Sequence, residues 1–321
     1  MAADRFRLAK TIIVTGAAGF IGRNVVAELN LRGYEDLILV DNLGRSDKWR
    51  NLVGLRYEDI VEPKEFLAWL ATGKMRNFEA IFHLGACSET TECDADFLLE
   101  NNYHYTRTVC EWCVEHDTRF IYASSAATYG SGSKGYADRE EALRSLRPMN
   151  MYGYSKHMFD LWAMKHSLFY GIVGLKYFNV YGPYEDHKGA MRSMVSKSYD
   201  QIKELGKVQL FKSYRPDYAD GEQMRDFIYV KDAVAVTLYF LEHPQIAGLF
   251  NCGTGKARTW KDLVTAVFRA LNLPPQIEFI EMPQLLRGHY QYFTQAPMDK
   301  LREAGYTAPF TPLEFHPPRC S

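Results

Sequence analysis

The chain has 321 residues, 47% of them hydrophobic and 24% charged, with a formal net charge of -1 at pH 7. That length suits one large domain or two intertwined ones, and the balanced charge carries no footprint for nucleic acid or an anionic membrane. No apolar run approaches the roughly 18 residues of a membrane helix, and MAADRFRLAK leads into an apolar strand without a signal-peptide core, so a cytoplasmic enzyme is expected.

TIIVTG (11–16) is the first predicted strand, and FIGRNVVAELNLRG (20–33) follows with apolar residues at helical spacing and a stop at Gly33. Between them Gly16, Gly19 and Gly22 form a G-x-x-G-x-x-G. Glycines matter in this strand–helix context: Gly16 permits the tight turn and Gly19 lets backbone approach a pyrophosphate at the helix N-terminus. Gly22 allows close helix–strand packing. DLILVDN (36–42) is the next strand and ends in Asp41, an acid placed to accept from adenosine ribose hydroxyls, as in NAD sites. Arg45 and Lys48 follow it, and cations there hold the 2′-phosphate of NADP. On these residues alone both cofactors stay open.

FEAIFHLGA (78–86) reads as a strand whose small residues leave room for the adenine half of a dinucleotide, with Asn101 and Asn102 supporting that loop. TRTVCEWCVEH has helical period, and no second pair accompanies its Cys110-x-x-Cys113, so all six cysteines are expected as free thiols and no metal is expected. TRFIYASSA (118–126) is a strand with Ser124 and Ser125 at its carboxyl end, the edge where open α/β sheets bind ligands. MYGYSKHMFD then opens a helix, with Tyr152 and Lys156 on one face. A phenol has a reference pKa of about 10. A neighbouring ammonium and an oxidised nicotinamide pull it down, which would let Tyr152 take a substrate hydroxyl proton while Ser125 holds the reacting oxygen. GIVGLKYFNVYG (171–182) is read as one more strand. The alternation of apolar strands and helices predicts a parallel sheet covered on both faces.

The pattern changes beyond residue 183. PYEDHKGAM reads as loop, RSMVSKSYDQIKEL as helix and KSYRPDYADGEQM as aperiodic; DFIYVKDAVAVTLYFLEH reads as strand then helix, GLFNCGTG as strand and WKDLVTAVFRALNL as helix. The expected fold is an α/β, Rossmann-type doubly wound parallel sheet over residues 1–178 and 226–254. A smaller α/β unit is expected over 179–225 and 255–321.

Taken together, TGAAGFIGRN, VDNL, IFHLGACSETTE, YASSAATYG, YGYSK, YFNVYGP, HKGAM, RDFIYVKD, FNCGTG and GHYQYFTQA resemble the ADP-L-glycero-D-manno-heptose 6-epimerase family of extended short-chain dehydrogenases/reductases. The resemblance implies bound NADP, an ADP-heptose nucleotide sugar as substrate for the smaller unit, and inversion at C6 through a 6-keto intermediate. It also implies a homo-oligomer, pentameric in the family, and a place in making the heptose precursor of lipopolysaccharide inner core. Carried over by residue, Tyr152 and Lys188 are the acid/base pair, with Lys156 as partner of the tyrosine. Phe20, Ile21, Asp41, Asn42, Lys48, the 84–88 loop (Leu84, Gly85, Ala86, Cys87, Ser88), Asn101, Val180, Lys156 and Lys188 are implied cofactor contacts. Ser125, Asn179, Ala190, Lys197, Phe211, Arg225 and Tyr290 are implied substrate contacts. Three features depart from the family: Lys197 stands where a substrate-binding His is usual, the 211–225 stretch is longer, and LEFHPPRCS replaces a final helix with a two-proline tail. The catalytic trio alone is also compatible with a nucleotide-sugar 4-epimerase. Ala126 and Ala127 after Ser125 disfavour a 4,6-dehydratase, and the Tyr/Lys pair disfavours a non-catalytic NADP-binding module.

Overall fold

Four-residue, mostly apolar runs with every side chain buried, Ile12–Thr15, Leu37–Val40 and Ala80–His83, fit central strands of a covered parallel sheet. The structure, a computed structural model, describes residues 11–73, 78–287 and 290–315. Its strands are β1 (Ile12–Thr15), β2 (Leu37–Val40), β3 (Asp59–Val61), β4 (Ala80–His83), β5 (Arg119–Ser125), β6 (Val173–Tyr177), β7 (Asn179–Tyr181), β8 (Val208–Phe211), β9 (Met224–Tyr229), β10 (Gly248–Cys252), β11 (Ala257–Thr259) and β12 (Ile277–Ile280). The helices used below are α1 (Phe20–Leu31), α2 (Pro63–Thr72), α3 (Ala95–Leu98), α4 (Tyr105–Glu115), α5 (Met151–Lys165), α6 (Met194–Leu205), α7 (Val230–Glu242) and α8 (Trp260–Ala270). A π-helical segment, Leu99–His104, joins α3 to α4.

Seven strands form one parallel sheet in the order β10-β6-β5-β4-β1-β2-β3. The order reverses between β1 and β4, the switch point where the carboxyl ends of strands leave a ligand crevice. This is the expected doubly wound architecture. The remaining strands make two small sheets, β11-β9-β7 and β12-β8. They cover a second core of Tyr181, Ile202, Val208, Leu210, Phe227, Leu263 and Phe268, separate from the core around the main sheet.

Three features differ from the sequence reading. GIVGLKYFNVYG is not one strand: it breaks at Phe178 into β6, in the main sheet, and β7, which pairs with β9. Strands β3, β8 and β12 were not read from the sequence, being short and partly covered. The loop-like EDHKGAM holds a 3-10 turn, Asp186–Met191, in which Gly189 takes φ 52° and ψ -121°. Cys110 and Cys113 are buried free thiols on α4, and Cys320 and most of the two-proline tail lie outside the described residues.

Candidate active site

The glycine turn is built by contact. Gly16 has φ +68°, and a Cβ there would lie 2.6 Å from the backbone nitrogen of Gly85; one at Gly22 would lie 2.1 Å from the Gly16 carbonyl oxygen. Only glycine lets the ends of β1 and β4 and the start of α1 pack this closely. Helix α1 starts at Gly19 with no side-chain cap, so its first N–H groups face the crevice free for an anion. Asp41 closes the turn by accepting from Ala18 N–H at 2.8 Å on Oδ2 and from Asn42 N–H at 2.7 Å on Oδ1, and Lys48 Nζ donates to the same Oδ1 at 2.5 Å. The carboxylate expected to be free for ribose hydroxyls is therefore largely engaged. Arg45 is exposed and does not line the crevice, which leaves Lys48 as its cation at that corner.

A one-way hydrogen-bond chain fixes the floor. Gly85 N–H donates to Thr15 Oγ1 at 3.1 Å, and Thr15 Oγ1 lies 2.9 Å from His83 Nδ1. His83 Nε2 lies 2.8 Å from Thr106 Oγ1, which donates to Asn102 O at 2.6 Å. Because the Thr106 proton goes to a carbonyl, His83 must donate from Nε2 and accept at Nδ1. Burial agrees, since it lowers His83 to about 3. Asn102 then clamps the 84–88 loop by exchanging bonds with Cys87 N–H and C=O, both at 2.9 Å, and reaches Ser155 Oγ on α5 at 3.0 Å. The sequence reading expected Asn102 to support this loop but missed His83, whose partners lie far away along the chain.

The predicted trio meets as the chain order suggests. Asn150 caps α5 by accepting from Gly153 N–H at 2.8 Å, and a Cβ on Gly153 would lie 2.8 Å from Ala127 O. The helix start thus sits directly on the turn after β5, which brings the Tyr152 phenol into hydrogen bonding with Ser125. Ser124 instead donates to Asp160 Oδ2 at 2.8 Å, in a buried cluster where Tyr122 OH and Lys176 Nζ also reach Asp160, at 2.7 and 2.6 Å. The expected fall of the Tyr152 pKa is not what this state shows. Burial pushes the phenol up, the Ser125 bond opposes it, and Lys156 is not among the causes. Lys156 is itself lowered to about 8 by burial, against the pull of Asp160.

Lys188 arrives from the other side, on the 186–191 turn. Its ammonium lies 5.2 Å from the centre of the Phe20 ring at the start of α1. Burial lowers its pKa, Glu185 opposes that and Lys197 adds to it. Glu185 is buried and holds Ser193, the α6 cap, through both N–H and O–H at 2.5 Å.

These groups share one cleft of ≈ 1110 Å³ between the main sheet and the second core. Gly16, Gly19, Phe20, Ile21, Gly22, Asp41, Asn42, Lys48, residues 84–88, Asn101, Ser125, Tyr152, Lys156, Asn179, Val180, Lys188, Lys197, Phe211 and Tyr290 all line it. Ala190 and Arg225 do not. Arg225 is buried behind the wall, donating to the Met224 and Gln291 carbonyls between the rings of Trp260 and Tyr290. Sequence reasoning also missed His187 and Trp260, which line the cleft; Trp260 donates to Tyr290 OH at 2.9 Å.

The free α1 N-terminus, the glycine cradle and Lys48 fit a dinucleotide at one end of the cleft. A phenol, the buried Lys156 and the half-buried Lys188 stand in its middle, and an aromatic wall closes the far end. Comparison with known proteins agrees. Residues 12–253 match the NAD dependent epimerase/dehydratase family. ADP-L-glycero-D-manno-heptose-6-epimerase of Nitratidesulfovibrio vulgaris is 57% identical over 303 residues, 94% of each chain. The enzyme of that name from Fusobacterium nucleatum is 49% identical, also over 94% of each chain. The crystal structure of the Helicobacter pylori enzyme superposes with a TM-score of 0.80 at 28% identity, covering 95% of this chain and 93% of that one.

Proposed function

Since the chain belongs to the NAD dependent epimerase/dehydratase family and, within it, to the ADP-L-glycero-D-manno-heptose-6-epimerases, we infer that it inverts C6 of ADP-D-glycero-D-manno-heptose. The observation that carries the mechanism is that Tyr152 and Lys188 line one cleft from separate elements, α5 and the 186–191 turn. A bound nicotinamide would supply the hydride acceptor and donor for C6, while the hydroxyl proton goes to the protein. The protein's own groups do the rest. Ser125 holds the C6 oxygen and biases Tyr152 toward phenolate. Tyr152 serves as acid/base for one epimer and Lys188 for the other. Lys156, buried beside Tyr152, supplies positive charge under the ribose; its lowered pKa keeps that charge adjustable near neutrality. Lys197, in the cleft where the family usually has a His, offers a cation to the nucleotide sugar.

The cofactor is NADP in this reading. Lys48 neutralises Asp41, which removes the like-charge penalty an unpaired Asp41 would impose on a 2′-phosphate. Trp260, Tyr290 and Phe211 form the surface on which the nucleotide base rests. Use of the product as the heptose precursor of lipopolysaccharide inner core, in the cytoplasm and by a homo-oligomer, rests on the sequence resemblance. The test uses two substrates. Purified protein given ADP-D-glycero-D-manno-heptose should yield the L-glycero epimer, and given UDP-glucose should leave C4 unchanged. Inversion of UDP-glucose without action on the heptose would overturn the reading in favour of a 4-epimerase.

A further inference from the structure

Lys188 sits on a short turn, and its neighbour His187 ties that turn to the cofactor half of the cleft. Asn51, which is buried, donates from Nδ2 to Ala18 O at 2.8 Å, and the same Nδ2 lies 3.0 Å from His187 Nδ1. The Ala18 carbonyl only accepts, so the Asn51 group facing it is the NH2, and its second hydrogen goes to His187. His187 Nδ1 is therefore unprotonated and the ring neutral, with its hydrogen on Nε2. Burial between Lys48 and Lys188 favours the same state, with Asp41 and Asp186 opposing. Two further contacts anchor the chain just before the turn. Asn24 Nδ2 donates to Pro183 O at 3.4 Å, and the Arg23 guanidinium lies 3.6 Å from the centre of the Tyr184 ring. Glu185, just before the turn, holds Ser193, just after it, and so ties both ends of the turn to the start of α6. Between these anchors Lys188 N–H donates to Glu185 O at 3.0 Å, and Gly189 then breaks the turn with its non-helical backbone.

We propose that the Asn51–His187 hydrogen bond is the clasp that keeps Lys188 desolvated against Phe20, which makes His187 and Asn51 positioning residues for the second acid/base group. The proposal rests on the assignment of Lys188 above. Without the clasp, the turn relaxes toward solvent and the Lys188 ammonium, now facing water as well as Glu185 and Lys197, returns toward an ordinary lysine pKa.

The experiment measures kcat against pH for the wild type, His187→Leu, His187→Gln and Lys188→Met. The limb belonging to Lys188 is the one that Lys188→Met removes. His187→Leu should shift that limb to higher pH and lower kcat at pH 7 by about tenfold, with KM for the nucleotide sugar within about twofold. Cofactor content, read by absorbance of the purified protein, should be unchanged. His187→Gln, whose amide oxygen still accepts from Asn51, should restore most of the limb position. If His187→Leu lowers kcat with the limb unmoved, or if Gln rescues no better than Leu, the clasp is only structural and the proposal is wrong. A Lys188→Met protein that epimerises near the wild-type rate would instead overturn the two-group reading, and the clasp with it.

Discussion

Three side chains divide the chemistry at the residue scale. Tyr152 needs help to act as a base, because burial raises its pKa in this state and only Ser125 opposes that. Lys188 is eased toward the neutral amine by burial. If each serves one epimer, every turnover uses both, so Tyr152→Phe and Lys188→Met should each lower epimerisation by about 10²–10⁴-fold. The two variants should favour opposite faces when they reduce a bound carbonyl analogue, which chiral analysis of the alcohol reads directly. Lys48→Ala should weaken NADP more than NAD, measured as two dissociation constants, since the unpaired Asp41 would then repel the extra phosphate; equal losses would remove Lys48 from that role. His83 makes a separate prediction. Its folded pKa of about 3 lies below the ordinary 6.5, so its contribution to stability is full above pH 6.5 and drains as pH falls toward 3. His157, lowered to about 4, acts in the same direction. The denaturant midpoint should therefore fall steadily from pH 7 to 5; a flat profile would contradict a neutral buried His83.

At the scale of elements, close backbone approach does most of the positioning. Helix α5 can present Tyr152 to Ser125 only because Gly153 lets it rest on Ala127. Gly153→Ala should push the helix off the β5 turn and lower kcat by about 10²-fold while the fold survives, since misplacement by about 1 Å costs that much; an unchanged kcat would show that the contact is not what sets the geometry. The 211–225 stretch has a visible role. Tyr214 N–H donates to Tyr292 OH at 3.0 Å, and the Arg215 guanidinium lies over the rings of Tyr218 and Tyr292 at 5.3 and 5.1 Å. Tyr292 in turn meets Tyr290 edge-on at 5.5 Å, so the segment backs the aromatic end of the cleft. What was legible in the sequence was local. The glycine fingerprint, the strand ends and the Tyr/Lys spacing each carry their signal within a few residues. His83, Asp160, Asn51 and Glu185 were not legible as positioning residues, because each works through partners that only folding brings near. The break at Phe178 escaped for a related reason. β6 and β7 are both β-rich in sequence, and only their pairing with different strands, β5 and β10 for one and β9 for the other, separates them.

At the scale of the whole molecule, two cores make one cleft, and the cofactor end, the reacting centre and the aromatic wall follow one another along it. The doubly wound sheet was predictable from strand–helix alternation; the small sheets that build the wall were not, since β8 and β12 are short and only partly covered. Inversion by oxidation and re-reduction at C6 within this single cleft requires the same hydrogen to leave and return. The most direct test is to run the epimerisation of ADP-D-glycero-D-manno-heptose in deuterated water and examine C6 of the product by NMR. The product should be the L-glycero epimer with ordinary hydrogen on C6; substantial deuterium at that carbon would rule out this route.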